Sequence, residues 1–114
     1  MKIDERSFEF AIEIVALYKF LLGRNEYVLS KQVLRSGTSI GANVQEAQAA
    51  QSRADFLSKM SIASKEARET KYWLRLLDQS GYLDGYHRSD SLQESSTSII
   101  NIITKIVKTT KTSR

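Results

Sequence analysis

Cysteine and proline are absent from this 114-residue chain, glycine occurs only five times, and histidine and tryptophan once each. Without cysteine there is no disulfide, no thiolate metal site and no thiol nucleophile, which agrees with a reducing compartment. Without proline, and with so little glycine, the chain lacks the punctuation for the many tight turns of an all-β fold. Helix is the remaining reading. Long apolar runs are missing too: IVALYKFLL is interrupted by Lys19 and is too short to cross a bilayer, so no membrane association is expected. The opening MKIDERSFEF carries two acids within its first five residues and no apolar h-region. It does not read as a secretory signal, and a cytoplasmic location is expected.

The single histidine narrows the chemistry. Di-iron four-helix bundles need paired E-x-x-H motifs to bring carboxylates and imidazoles together in the core. His87, in GYHRSD, follows no such glutamate, and no arginine stands five to seven residues ahead of it, at positions 80–82, as small helical nucleases of the R-x(4-6)-H type require. GTSIGAN lacks the G-K-[ST] ending of a phosphate loop. No motif links any serine to a positioned base. Neither catalytic residues nor a cofactor is expected.

What is present is helical periodicity, in one domain spanning 1–114 with helices over about 5–23, 27–51, 53–80 and 85–110. In the first segment Phe10, Ile14, Leu17 and Leu21 form one apolar stripe and Phe8, Ile12 and Val15 a second. A bundle helix needs one such face, so the second predicts burial against another subunit. Gly23 is a natural terminator for this helix. The second segment keeps a three-four alternation through Val33, Gly37, Ile40, Val44 and Ala47, but SGTSIG within it has poor helix propensity. A bend or restart is expected there, with small residues that admit a neighbouring helix closely.

The third segment is the most regular, with Phe56, Met60, Ala63, Ala67, Thr70, Leu74 and Leu77 on a heptad seam. Ile62, Glu66, Glu69, Trp73 and Leu76 lie beside it, and Gly81 ends the helix. Tyr72 and Trp73 also suggest a stacking surface for bases, although core or interface packing explains Trp73 without a ligand. The fourth helix starts either at Asp84 or at Ser91, where Glu94 completes a capping box. Leu92, Ile99, Ile103 and Ile106, widened by Ile100 and Val107, again give more apolar surface than one bundle requires.

The net charge is +4, and Lys105, Lys108, Lys111 and Arg114 account for all of it. Such an end attracts phosphate. Cations in the last turn of a helix also complement its dipole without any partner.

The stretch QVLRSGTSIGANVQEAQAAQSRADFLSKMSIASKEARETKYWLRLL, from Gln32 to Leu77, resembles the core of the bacterial four-helix bundle family also known as the 23S rRNA intervening-sequence proteins. The flanks RSFEFAIEIVALYKFL and LDQSGYLDGY fit as well. The matching positions are Arg35, Ser39, Ile40, Asn43, Glu46 and Ala47, then Asp55, Phe56, Ala63, Glu66, Glu69, Thr70 and Trp73. Many relatives place proline where Gly41 stands. The resemblance implies an all-α, antiparallel up-and-down bundle with a bent second helix, assembled into a ring-like homo-oligomer, pentameric in characterised relatives. A more distant similarity, to accessory proteins of diversity-generating retroelements, implies contact with nucleic acid.

Three functional readings follow. The first is a non-enzymatic oligomeric scaffold that contacts RNA or a nucleic-acid-processing protein, with Arg53, Lys105, Lys108, Lys111 and Arg114 on phosphates. In the second, a structural protein-interaction module, Arg35, Asn43, Glu46, Glu66 and Glu69 form a polar network that fixes helix register. The third is an enzyme with Glu46, Glu66 and Glu69 around a metal.

Overall fold

The structure, a computed structural model, describes residues 2–113. Four helices follow one another: α1 Ile3–Gly23, α2 Leu29–Gln48, α3 Arg53–Gln79 and α4 Ser89–Thr112. Each packs on its sequence neighbour, and α1 also meets α4 along a shorter stretch. The result is an antiparallel up-and-down bundle 49 Å long and about 20 Å across.

The core is the set of stripes that periodicity marks. Phe10, Ile14, Leu17 and Leu21 of α1, Val33, Ile40, Val44 and Ala47 of α2, and Leu92, Ile99 and Ile103 of α4 are all buried. On α3, Met60, Ala63, Ala67, Thr70, Leu74 and Leu77 are buried, and Phe56 packs against the cluster from its edge. Small residues set the helix spacing. A Cβ on Gly37 would stand 2.8 Å from two side-chain carbons of Ile14, and one on Gly41 would meet the Ser7 carbonyl oxygen at 3.2 Å. These two positions let α1 lie directly on the α2 backbone.

The helix ends show where local sequence governs. Ser52 caps α3 by accepting the Asp55 N–H at 3.0 Å. Gly81, at φ 85°, closes α3, with the Tyr82 N–H reaching the Leu77 carbonyl. At the end of α1 the left-handed residue is Asn25, φ 63°, and not Gly23, which is the last residue of the helix itself.

Three expectations are corrected. α2 runs without interruption through SGTSIG, so no restart occurs; Thr38 and Ser39 donate their hydroxyls to the Leu34 and Arg35 carbonyls and the segment stays helical. α4 begins at Ser89, between the two starts considered, and the Ser91–Glu94 box does not form because Ser91 Oγ turns back to the Arg88 carbonyl. The apolar surplus of α4 is largely absorbed inside the subunit, since Ile100, Ile106 and Val107 pack against the core. Only the surplus of α1 stays outside.

Candidate functional site

The surface divides by chemistry. On α1, Phe8, Ile12 and Val15 are 66%, 56% and 38% exposed, against 2% or less for the opposite stripe. Phe8 and Ala11 face Thr38, Gly41 and Ala42 of α2 across a shallow groove of about 390 Å³, edged by Asp4. The helix carries four acids and two bases. An uncovered apolar strip on an acidic helix therefore forms one side of the bundle.

The side made by α3 and α4 is basic. α3 holds six cations and four acids, and two of those acids, Glu66 and Glu69, are taken by Arg35. α4 has no acid after Glu94. Between the two helices lies a groove of about 320 Å³ whose charged lining is Arg68, Lys108 and Lys111. Ser61, Ser64 and Thr104 supply hydroxyls, and Val107 is the apolar part of its wall. Arg53 adjoins this groove, its guanidinium donating to the Lys111 carbonyl at 3.4 Å. Of the cations expected on phosphate, Lys108 and Lys111 line the groove, Arg53 closes its end, and Lys105 is exposed on α4 without lining it. Arg114 lies outside the described residues. The missed residue is Arg68, forty positions before Lys108 in sequence and opposite it in space.

The predicted polar network is half assembled. Arg35 bridges α2 to α3, donating to Glu66 Oε2 at 3.0 Å and to Glu69. Glu69 in turn accepts the indole N–H of Trp73 at 2.9 Å. Asn43 and Glu46 are not part of it: the Asn43 amide donates to the Ser39 carbonyl within α2, and Glu46 is exposed. Eleven residues separate Arg35 from Glu46, roughly 16 Å along a helix, so one cluster cannot hold both. Of the three glutamates of the metal reading, Glu66 and Glu69 share Arg35 and Glu46 lies apart from them, and no group of three or more metal-ligating side chains occurs among the described residues. The hydroxyls of Ser36 and Thr70 meet in the interior at 2.9 Å and tie the same two helices.

Trp73 is half-buried and committed to Glu69, which leaves Tyr72, 58% exposed, as the free aromatic face of α3. The two rings meet edge to face at 5.1 Å.

The Trp73 N–H, and then Arg35, hold the Glu69 carboxyl below its ordinary value near 4.5 against the opposing effect of partial burial. A lowered folded-state pKa gives stability that is present above the ordinary carboxylate range and is lost as pH falls through the lowered value. The Glu69→Gln variant should therefore melt below the wild type at pH 7, with the gap closing at acid pH. Thermal melts followed by the emission of Trp73 check this. A gap that does not change with pH would contradict it.

These features belong to an up-and-down bundle whose candidate sites lie on its outer faces and not in its interior. The chain belongs to the 23S rRNA-intervening sequence protein family, whose model matches residues 1–105. A protein of unknown function from the S23 ribosomal protein family of Bacteroides thetaiotaomicron has a similar solved structure: TM-score 0.89 and 51% identity, over 94% of this chain and 99% of that one. No curated protein matches the chain. No described helix is long and apolar enough to cross a membrane.

Proposed function

We propose that this protein is a non-enzymatic scaffold of the cytoplasm that assembles with further copies of itself and presents a basic surface to RNA. The observation that carries the reading is the division of its surface, with an uncovered apolar strip on acidic α1 and unpaired cations on α3 and α4. The strip from Phe8 to Val15 exposes three large apolar side chains on one face, a pattern that marks interaction surfaces. Like-charge repulsion disfavours packing α1 of one copy on α1 of another, because the exposed acids outnumber the bases there. A head-to-tail contact that sets the α1 strip of one copy against a different, less acidic part of the next covers the strip without stacking like charge and leaves the α3–α4 face free, and repeated head-to-tail contacts close into rings. The family resemblance favours five copies. Keeping catalysis out of the reading fits an interior filled by aliphatic side chains.

Light scattering on the double variant Ile12→Glu/Val15→Glu tests the assembly. Both residues are exposed within the subunit, so the variant should keep its helical content and fall to the mass of one chain. An assembly of unchanged mass would remove α1 from the interface. The alternative, a protein-interaction module without nucleic acid, is supported by the Arg35–Glu66–Glu69 bridge, which ties α2 to α3. It predicts purified protein whose absorbance at 260 nm shows no bound RNA, even at low salt.

A further inference from the structure

We infer that the α3–α4 groove is the RNA contact, and that it holds the phosphate backbone of a single strand. This rests on the RNA reading given above and assigns it a place and a mode. The groove cations are unspent. Arg35 and Arg88 are held by glutamates, whereas no ion pair among the described residues engages Arg68, Lys108 or Lys111. The acids of α3 lie elsewhere. No acid falls between Asp55 and Glu66, and Glu66 itself is turned to Arg35 on the α2 side. A fixed positive potential with no internal partner, in a concave site, attracts polyanions.

The shape selects the strand. The groove residues recur at helical spacing over seven positions on each helix, Ser61 to Arg68 and Thr104 to Lys111. Seven positions extend about 10 Å, and the three cations Arg68, Lys108 and Lys111 along that length can neutralise about three phosphates. A groove of about 320 Å³ between two packed helices is sized for a short stretch of one backbone. Double-stranded RNA is instead met by surfaces that span two successive minor grooves. The hydroxyls of Ser64 and Thr104 stand where a phosphate oxygen or a ribose hydroxyl accepts or donates a hydrogen bond.

Tyr72 gives the strand a second contact. It follows Arg68 by one helical turn, so its exposed ring lies on the same face of α3, with Arg75 one turn beyond. A phosphate on Arg68 brings the adjoining base to the Tyr72 face, and base–aromatic stacking tolerates any sequence. Tyr72 also touches the only tryptophan, so stacking there changes the emission of Trp73.

The test uses the intact protein and end-labelled U20 RNA, T20 DNA and a 20-base-pair RNA duplex, with fluorescence anisotropy followed across a salt series. U20 should bind with a log–log salt slope near −2, as about three phosphates neutralised on a single strand require. It should bind at least as tightly as T20 and more tightly than the duplex, and should alter Trp73 emission. Arg68→Ala/Lys108→Ala should bring the slope to about −0.7, and Tyr72→Ala should weaken binding about tenfold. Lys31→Ala, a control on exposed α2 surface, should leave binding unchanged. All substituted side chains are exposed or line an open groove, and circular dichroism melts verify that each variant folds. If U20 binds to wild type and to the double variant alike, the groove is not the site although the RNA reading survives. If wild type does not bind U20 in low salt, the RNA reading itself fails. Preference for the duplex overturns the single-strand assignment, preference for T20 overturns the assignment to RNA, and an acidic peptide that displaces U20 would mark the groove as a protein-docking site.

Discussion

Replacing Glu26 with alanine should lower the stability of the fold by about 2–3 kcal/mol, the loss expected when a charged cap and its buried donors go together. Glu26 is 6% exposed, an unusual place for a carboxylate. Its two oxygens accept the backbone N–H groups of Val28, Leu29 and Ser30 at 2.8–3.2 Å, the open donors at the start of α2. The N-terminal end of the α2 dipole adds to the attraction. Removing the carboxylate leaves the Ser30 N–H buried with no acceptor, and an unsatisfied buried donor costs more than a bond is worth. Thermal unfolding should show the midpoint down by roughly 10 °C. Glu26→Gln keeps one acceptor oxygen and should fall between. Equal midpoints for wild type and Glu26→Ala would mean that water caps α2 just as well.

Gly37→Ala should destabilise the protein by about 1–2 kcal/mol even though alanine is the better helix former by about 1 kcal/mol. The added methyl would stand 2.8 Å from two carbons of Ile14, and those atoms branch from a stiff, fully buried side chain. Either Ile14 leaves its rotamer or α1 lifts from α2, and overpacking of this kind costs about 1–3 kcal/mol. Gly23→Ala is the internal comparison. Nothing lies within 4 Å of a Cβ there, and the substitution should be neutral or stabilising. Adding Ile14→Val to Gly37→Ala should recover part of the loss, a coupling that denaturant titrations of the four-member cycle would measure. Additive effects would deny that the two residues set the α1–α2 distance.

These two sites also show what the chain reveals by itself and what it does not. The α3 seam was legible because every position from Met60 to Leu77 obeys one period and each member is buried in turn. Gly37 was legible as an approach point for the same reason. The second α1 stripe could be read as surplus, since Phe8, Ile12 and Val15 recur at helical spacing and no single bundle face can hold both stripes. On α4 that logic overshot: Ile100, Ile106 and Val107 are partly buried against the subunit's own core and need no outside cover.

Glu26 was hidden because a glutamate in a loop normally reads as solvated, and cap signals are carried by shorter side chains. Arg68 was hidden for a different reason. Counting charge along the chain assigns the whole surplus to the last residues, whereas folding removes Glu66 and Glu69 from the balance and sets Arg68 opposite Lys108. In the network, Arg35, Glu66 and Glu69 meet because they share one level of the antiparallel α2–α3 pair, and Asn43 and Glu46 do not because they lie two and three turns further along.

The division of the surface thus follows from which charges the fold neutralises internally. α1 keeps its acids and an apolar strip outside, while α3 and α4 keep cations that no glutamate reaches. A subunit of this kind is suited to assembly on one side and polyanion contact on another. Multi-angle light scattering of the wild-type protein at micromolar concentration tests that account most directly. The account predicts a mass that is a whole multiple of the 12.9 kDa chain. A mass of one chain at every concentration would contradict it.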